Sequence, residues 1–207
     1  MILNSTSAIS DGLFFFKAWL RRPLGVASVT PSSRSLAQLI TQEIDGNTGH
    51  VIELGPGTGV FTRALLGRGV REDKLVLVER ELCFADMMAH RFPAAEVVTT
   101  DAARLGGHRL GVECGAVVSG LPLLSMPPRQ VMAILSGSFR HLRAGGNFYQ
   151  FTYGPRCPVP RVILDRLGLK ATLLGRTIHN LPPAAVYRIS RRGKLPLWLG
   201  KSGDIHD

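Results

Sequence analysis

Cysteine is scarce in this chain: Cys83, Cys114 and Cys157 stand far apart, with no C-x-x-C pair among them. That spacing argues against a disulfide framework and against a zinc site, and predicts reduced core or surface thiols. No apolar run approaches the ~20 residues that cross a bilayer. The first residues, MILNSTSAISDG, carry neither the basic n-region nor the apolar h-region of a secretory leader, so a cytoplasmic protein is expected. Acidic residues are scarce in one region only. Residues 1–139 hold 13 Lys/Arg against 12 Asp/Glu, whereas residues 140–207 hold 12 against 3. Nearly all of the net charge of +10 therefore falls in the last third, with Arg188, Arg191, Arg192 and Lys194 among its members. Such a stretch attracts an anionic partner, either a lipid surface or nucleic-acid phosphate. Internal repeats and low-complexity segments are also lacking.

What is present suits one α/β domain: 207 residues, 45% apolar and 19% charged. Hydrophobic periodicity predicts strands at 50–54, 75–79, 96–99, 116–119, 147–153, 171–178 and 185–190, alternating with helices at 33–44, 60–68, 81–91, 128–142 and 158–167. Pro127-Pro128 marks a helix start and Gly145-Gly146 a helix stop. Alternation with short links implies a parallel sheet covered on both faces. The last two strands, separated by His179-Asn180-Leu181-Pro182-Pro183, read as an antiparallel hairpin closing one edge.

The stretch Val51 to Thr62, VIELGPGTGVFT, combines a short strand, glycines at 55, 57 and 59, and a helix start. A dinucleotide fingerprint, G-x-G-x-x-G/A, would need its third small residue where Val60 stands, which argues against a pyrophosphate cradle. Ligands of open α/β sheets sit beyond the carboxyl ends of the strands, so the residues ending each strand carry the information. They are Glu53 and the glycines after the first strand, Glu79 with Arg80 after the second, Asp101-Ala102 after the third, and Ser119-Gly120-Leu121-Pro122 after the fourth. Glu79 is placed to accept from two ribose hydroxyls and Asp101 to receive an adenine amino group.

This ordered set resembles the class I S-adenosylmethionine-dependent methyltransferases over roughly residues 48–190. The resemblance implies a Rossmann-like, mostly parallel seven-stranded sheet with an antiparallel closing strand and helices on both faces. It also implies S-adenosylmethionine as cofactor and S-adenosylhomocysteine as product. By position, Glu53, Gly55, Gly57, Gly59, Glu79, Arg80, Asp101, Ala102 and Ser119 would then line the cofactor.

Two subfamilies fit the Gly-Pro-Gly-Thr-Gly turn and the Leu-Pro segment. The ribosomal RNA adenine dimethylases carry Asn-Leu-Pro-Tyr, an amide and a ring that handle a flipped base, and stacking contributes ~1–3 kcal/mol per base. Here the matching positions are Gly120-Leu121-Pro122-Leu123, and the chain ends soon after its last strand, without the helical C-terminal domain usual in those enzymes. SGLPLLSMP (119–127), VTPSSR (29–34), FYQFTYGP (148–155) and NLPPAAVYR (180–188) instead resemble the soluble bacterial phospholipid N-methyltransferases. That resemblance implies methylation of phosphatidylethanolamine, through mono- and dimethyl forms, toward phosphatidylcholine; RNA adenine N6-dimethylation is the alternative.

The organisation that follows is an N-terminal amphipathic membrane-binding helix and lid at 1–32, and a methyltransferase domain at 33–207. In DGLFFFKAWLRRP, Leu13, Phe15, Phe16, Trp19 and Leu20 share a broad arc while Lys17 and Arg21 project elsewhere, the pattern of an interfacial anchor or of a packed core helix. The protein is expected at the inner face of the cytoplasmic membrane, held peripherally by anionic lipid, with neither nucleic acid nor metal as partner. For the phosphate of the acceptor, Arg34 comes first because it begins the helix after TPSS, followed by Arg176, His179 and Asn180. Tyr149, Tyr153 and Phe16 are candidates to face the methylated nitrogen. His179 and His141 are candidate proton acceptors, and Tyr153, His179 and Ser119 form the expected catalytic set.

Overall fold

A computed structural model describes residues 31–153, 156–177 and 183–193. The N-terminal amphipathic segment, with Phe16, and the link holding His179 and Asn180 lie outside the described residues, as does Lys194. In chain order the elements are α1 (Pro31–Ile40), β1 (His50–Leu54), α2 (Val60–Gly67), β2 (Leu75–Glu79), α3 (Leu82–Arg91), β3 (Glu96–Thr99), β4 (Cys114–Ser119), α4 (Pro128–His141), β5 (Leu142–Thr152), α5 (Arg161–Arg166), β6 (Leu169–Thr177) and β7 (Ala184–Arg191). Three short 3₁₀ segments, Glu72–Lys74, Ala102–Gly107 and Leu123–Ser125, fill links for which sequence periodicity predicts no element.

The seven strands form one sheet in the order β3-β2-β1-β4-β5-β7-β6. β1 through β5 run parallel, while β7 is antiparallel to both β5 and β6. The expected closing hairpin therefore exists, with its second strand inserted between β5 and β6. β2 is buried at every position and β1 at four of five, which is why both read as unbroken apolar runs rather than as alternation. Ile52, Leu54, Val76, Val78, Val117 and Phe148 pack on one face with α4, α5 and the Ala102–Gly107 segment. On the other face Val51, Leu75, Leu77, Val118 and Phe151 meet Leu36, Ala37 and Ile40 of α1, Phe61 and Leu65 of α2, and Met88 of α3.

Local sequence sets the boundaries. α4 starts at Pro128, whose missing N–H costs nothing in a first turn. It crosses the Ala102–Gly107 segment at glycine-to-glycine distance: a Cβ on Gly137 would lie 2.8 Å from the Gly106 nitrogen. The helix stops at His141, and the chain passes directly into β5. Gly145 and Gly146, expected as the helix stop, instead sit inside that strand, where the β4–β5 register shifts and Gly145 takes φ 77°. No helix among the described residues is long and apolar enough to cross a membrane.

Candidate active site

Strand order reverses between β1 and β4, so the crevice beyond their carboxyl ends is the switch point of the sheet. The ladder continues past the strands there: Gly55 N–H donates to the Val78 carbonyl (2.9 Å), Gly120 N–H to that of Leu54 (2.8 Å), and Thr100 N–H to that of Glu79 (3.0 Å). Gly55, Gly57 and Gly59 take φ of 67°, 53° and 80°, left-handed at every second residue, which explains why each is glycine. Packing adds a second reason at two of them. A Cβ on Gly55 would lie 2.9 Å from Leu121, and one on Gly59 2.9 Å from the Phe92 ring.

Two acids brace this turn from below and beside. Glu53, fully buried, takes the Thr62 hydroxyl at 2.6 Å and, with Oε2 so engaged, leaves Oε1 buried without a partner. Burial pushes its carboxyl up to about 7, against the hydrogen bonds from the Thr62 hydroxyl and backbone and the charge of Arg63. Glu79 Oε1 accepts the backbone N–H groups of Arg80 (2.8 Å) and Glu81 (3.0 Å), and its Oε2 a long one from Gly57 (3.4 Å). A carboxylate offers about four acceptor sites, so this one keeps capacity for a ligand hydroxyl. Arg80 contributes its backbone here; its side chain pairs with Glu81 at the surface. Asp101 caps the Ala102–Gly107 segment through Ala103 N–H (2.8 Å), half-buried beside the buried Ala102. A left-handed glycine turn flanked by two carboxylates with acceptor capacity fits an adenosine-bearing cofactor whose ribose and base present donors.

The expected acceptor-side residues divide. Ser119 is fully buried and its hydroxyl accepts Leu121 N–H at 3.3 Å, a brace of the loop rather than an open catalytic group. Tyr149 is 3% exposed in the core on the α1 face, its hydroxyl donating to Glu43 (3.2 Å), and burial first, then Glu43, pushes it up to about 12. The structure thus keeps it out of the crevice, because mid-strand residues of that face point under α1. Tyr153 is half-buried just past β5, edge-on to Phe151 at 5.4 Å. The His141 ring contacts the Leu105 carbonyl at 3.1 Å and ties α4 to the neighbouring 3₁₀ segment. Arg34 is exposed in the first turn of α1. Arg176 lies on the outermost strand, three strand positions from β4 or roughly 14 Å. There it borders a shallow depression of about 300 Å³ with Ser35, Gln38 and Arg68, away from the crevice.

Sequence reading missed Thr62, the partner of Glu53, and Gln150, whose amide donates to the Leu121 carbonyl at 2.9 Å. The available signal for Gln150 is a polar residue in the otherwise apolar FYQF.

No family model matches the chain. It is 29% identical over 186 residues to an ornithine lipid N-methyltransferase from Singulisphaera acidiphila, covering 86% of this chain and 95% of that protein. A ribosomal RNA small subunit methyltransferase A from Paramagnetospirillum magneticum is 39% identical over 69 residues, 30% of this chain and 25% of that one. Among solved structures, the N-methyltransferase NodS from Bradyrhizobium japonicum WM9, in complex with S-adenosyl-L-homocysteine, superposes with a TM-score of 0.59 at 14% identity, covering 84% of this chain and 97% of that one. Strand order, switch-point turn and superposition together give this chain the fold of the class I S-adenosylmethionine-dependent methyltransferases.

Proposed function

We propose that this chain is an S-adenosylmethionine-dependent N-methyltransferase acting on the primary amine of a membrane lipid headgroup. The observation that carries the reading is the juxtaposition, at the β1/β4 switch point, of the Glu79-braced glycine turn with an acceptor loop that lacks both amide and ring. Gly120 has no side chain, and Leu123 is 2% exposed, a core residue rather than a stacking platform for a base. The relative covered almost end to end methylates a lipid amine by its name, whereas the RNA-modifying relative matches over a quarter of its own length.

Glu79 would hold a ribose hydroxyl, Asp101 the adenine amino group, and the turn amides the methionyl end. The bound cofactor supplies an activated methyl on a sulfonium. The chain's own contribution is alignment and dryness: the amine lone pair must face that methyl along one line, in a space kept from water. The amine must also lose its proton. His141 is engaged elsewhere, leaving His179, beyond the described residues, or water as its destination. Tyr153, just past the end of β5, would offer its ring to the methylated cation. Arg34 is the proposed clamp for the acidic part of the headgroup.

Phosphatidylethanolamine is the proposed substrate, and an ornithine lipid presents the same primary amine. Peripheral binding to an anionic cytoplasmic membrane surface is proposed to run through residues 1–32. Incubation with labelled S-adenosylmethionine and separate vesicles of phosphatidylethanolamine or ornithine lipid, or with unmodified ribosomal RNA, tests the reading. Label on either lipid supports it and identifies the headgroup; label on RNA alone overturns it.

A further inference from the structure

Gln150 sits in the middle of the sheet, opposite Ser119 of β4 on one side and Tyr187 of β7 on the other, with no exposed surface. Its Nε2 donates to the Leu121 carbonyl (2.9 Å) and to the carbonyl of Phe151 (2.8 Å). Both partners are acceptors only, so the amide has one allowed orientation, and Oε1 is left buried without a partner. An unpaired buried carbonyl is costly, and a methionine or leucine would avoid it. A polar group kept at that cost points to what its donors hold.

They hold the loop that faces the glycine turn. Gly120 N–H is fixed by the Leu54 carbonyl at 2.8 Å and Leu121 N–H by the Ser119 hydroxyl at 3.3 Å. A Cβ on Gly120 would lie 2.8 Å from the Gly55 carbonyl oxygen, and a Cβ on Gly55 2.9 Å from the Leu121 side chain. The loop is therefore pinned to β1 through Gly120, to β4 through Leu121 N–H, and to β5 through the Leu121 carbonyl alone. The first is backbone to backbone and the other two come from side chains, of which the Gln150 bond, at 2.9 Å against 3.3 Å for Ser119, is the shorter. We infer that Gln150 is a positioning residue: by orienting the Leu121 peptide it sets the acceptor loop against the glycine turn, and with it the alignment of the acceptor amine. The inference rests on the transferase reading for its catalytic consequence but not for its geometry.

Gln150→Met keeps length and shape and removes both donors, and Gln150→Glu restores one donor only when protonated. Gln150→Met should melt close to wild type, since it removes the unpaired Oε1 together with the donors to two carbonyls, and bind S-adenosylhomocysteine within about twofold. Its kcat on the lipid should fall by at least about tenfold, with KM within about threefold, because misalignment acts on turnover rather than on binding. For Gln150→Glu, turnover relative to wild type should rise from about pH 9 to about pH 6, as the buried carboxylate takes up a proton and ceases to face two carbonyls as an anion. The same ratio for Gln150→Met should be flat. Amide hydrogen exchange on the free chain needs no substrate: Leu121 should exchange at least about tenfold faster in Gln150→Met. If wild type methylates no lipid, the transferase reading falls while the exchange result still decides this inference. Wild-type exchange at Leu121 in Gln150→Met overturns it, as does a loss of cofactor affinity equal to the loss of turnover. Should Gln150→Met fail to fold, Gln150→Glu decides alone: exchange at Leu121, relative to wild type, that slows toward low pH supports the inference, and a flat ratio overturns it.

Discussion

The crevice at β1, β2 and β4 and the edge built by β5, β7 and β6 use charge in opposite ways. In the crevice the acids Glu79 and Asp101 are held by backbone N–H groups, which orient a carboxylate without neutralising it, while Arg63 and Arg91 tie the glycine turn through the Thr58 carbonyl (3.1 and 2.7 Å). At the edge arginines are held by other charges and by carbonyls. Arg191 donates to the carbonyls of Phe139 (2.5 Å), Leu142 (3.1 Å) and Arg143 (3.0 Å) and lies over the Phe139 ring. Arg188 pairs with Glu43 at 2.8 Å, and Arg192 pairs with Asp165. The difference narrows the expectation drawn from composition at three of its residues. Among the described residues of the last third, Arg188, Arg191 and Arg192 already have partners in the fold. An acid held by amides remains available to a ligand; an arginine saturated by carbonyls is a structural tie.

The comparison breaks first at Glu79. Glu79→Ala removes the acceptor proposed for the ribose and should weaken S-adenosylmethionine binding at least about tenfold, from roughly 1.5–3 kcal/mol of charge-assisted hydrogen bonding. Gly57→Val should do as much, since φ 53° strains a β-branched residue whatever space surrounds it. Unchanged calorimetric affinity in both variants would sink the assignment of the turn.

A sharper probe of the same region uses pH. The Glu53 carboxyl titrates near 4.5 in an unfolded chain and about 7 when folded. Below the lower value both states are protonated and the group contributes no difference. Between the two the folded state retains a proton that the unfolded state has released, so stability falls as pH rises, and above about 7 the deficit is constant. Glu53→Gln cannot ionise and still accepts from Thr62. It should therefore melt with wild type near pH 4.5 and higher than wild type near pH 8, by about 1–3 kcal/mol. Equal melting at both pH values would mean that Glu53 is charged at little cost in the folded protein.

How much of this was legible follows the same division. β1, β2 and β4 were readable because buried parallel strands are unbroken apolar runs, β3 from its short Val97-Val98 core, and the site because Glu53, Glu79, Asp101 and Ser119 stand at or just past the strand ends. The closing edge was readable as strands but not as contacts. Glu43 lies 106 residues from Tyr149 and 145 from Arg188, and nothing local announces that pairing. Tyr149 therefore looked like a ligand and proved a core residue. Gly145-Gly146 misled for a related reason: a glycine pair stops a helix or bends a strand, and only the register with β4 decides which. Gln150 was legible as an anomaly without a cause, since its partner belongs to another strand's loop.

On the closing edge, Arg191→Ala should lower stability by about 1–2 kcal/mol, since three carbonyls at the end of α4 and in β5 lose their donor, with part of the loss recovered by water at this exposed position. Thermal unfolding checks it. A melting point equal to wild type would mean that those carbonyls are hydrated just as well without the guanidinium.

The smallest effect belongs to Arg188 and separates a structural tie from a docking residue most directly. Its side chain and that of Glu43 are each about one-third exposed, 33% and 32%, so solvent screens the pair and ~0.5–1 kcal/mol is the expected loss of stability in Arg188→Ala. Glu43→Gln should cost a similar amount, and the double variant little more than either, because both singles remove one interaction. Vesicle sedimentation supplies the comparison. If Arg188 is held by Glu43 in the fold, Arg188→Ala should bind vesicles containing phosphatidylglycerol as wild type does, with the same sensitivity to added salt. Deletion of residues 1–22 should reduce that binding, placing the docking charge in the N-terminal stretch. Reduced sedimentation of Arg188→Ala with a normal melt would return the closing edge to the membrane surface and erase the distinction between the two regions.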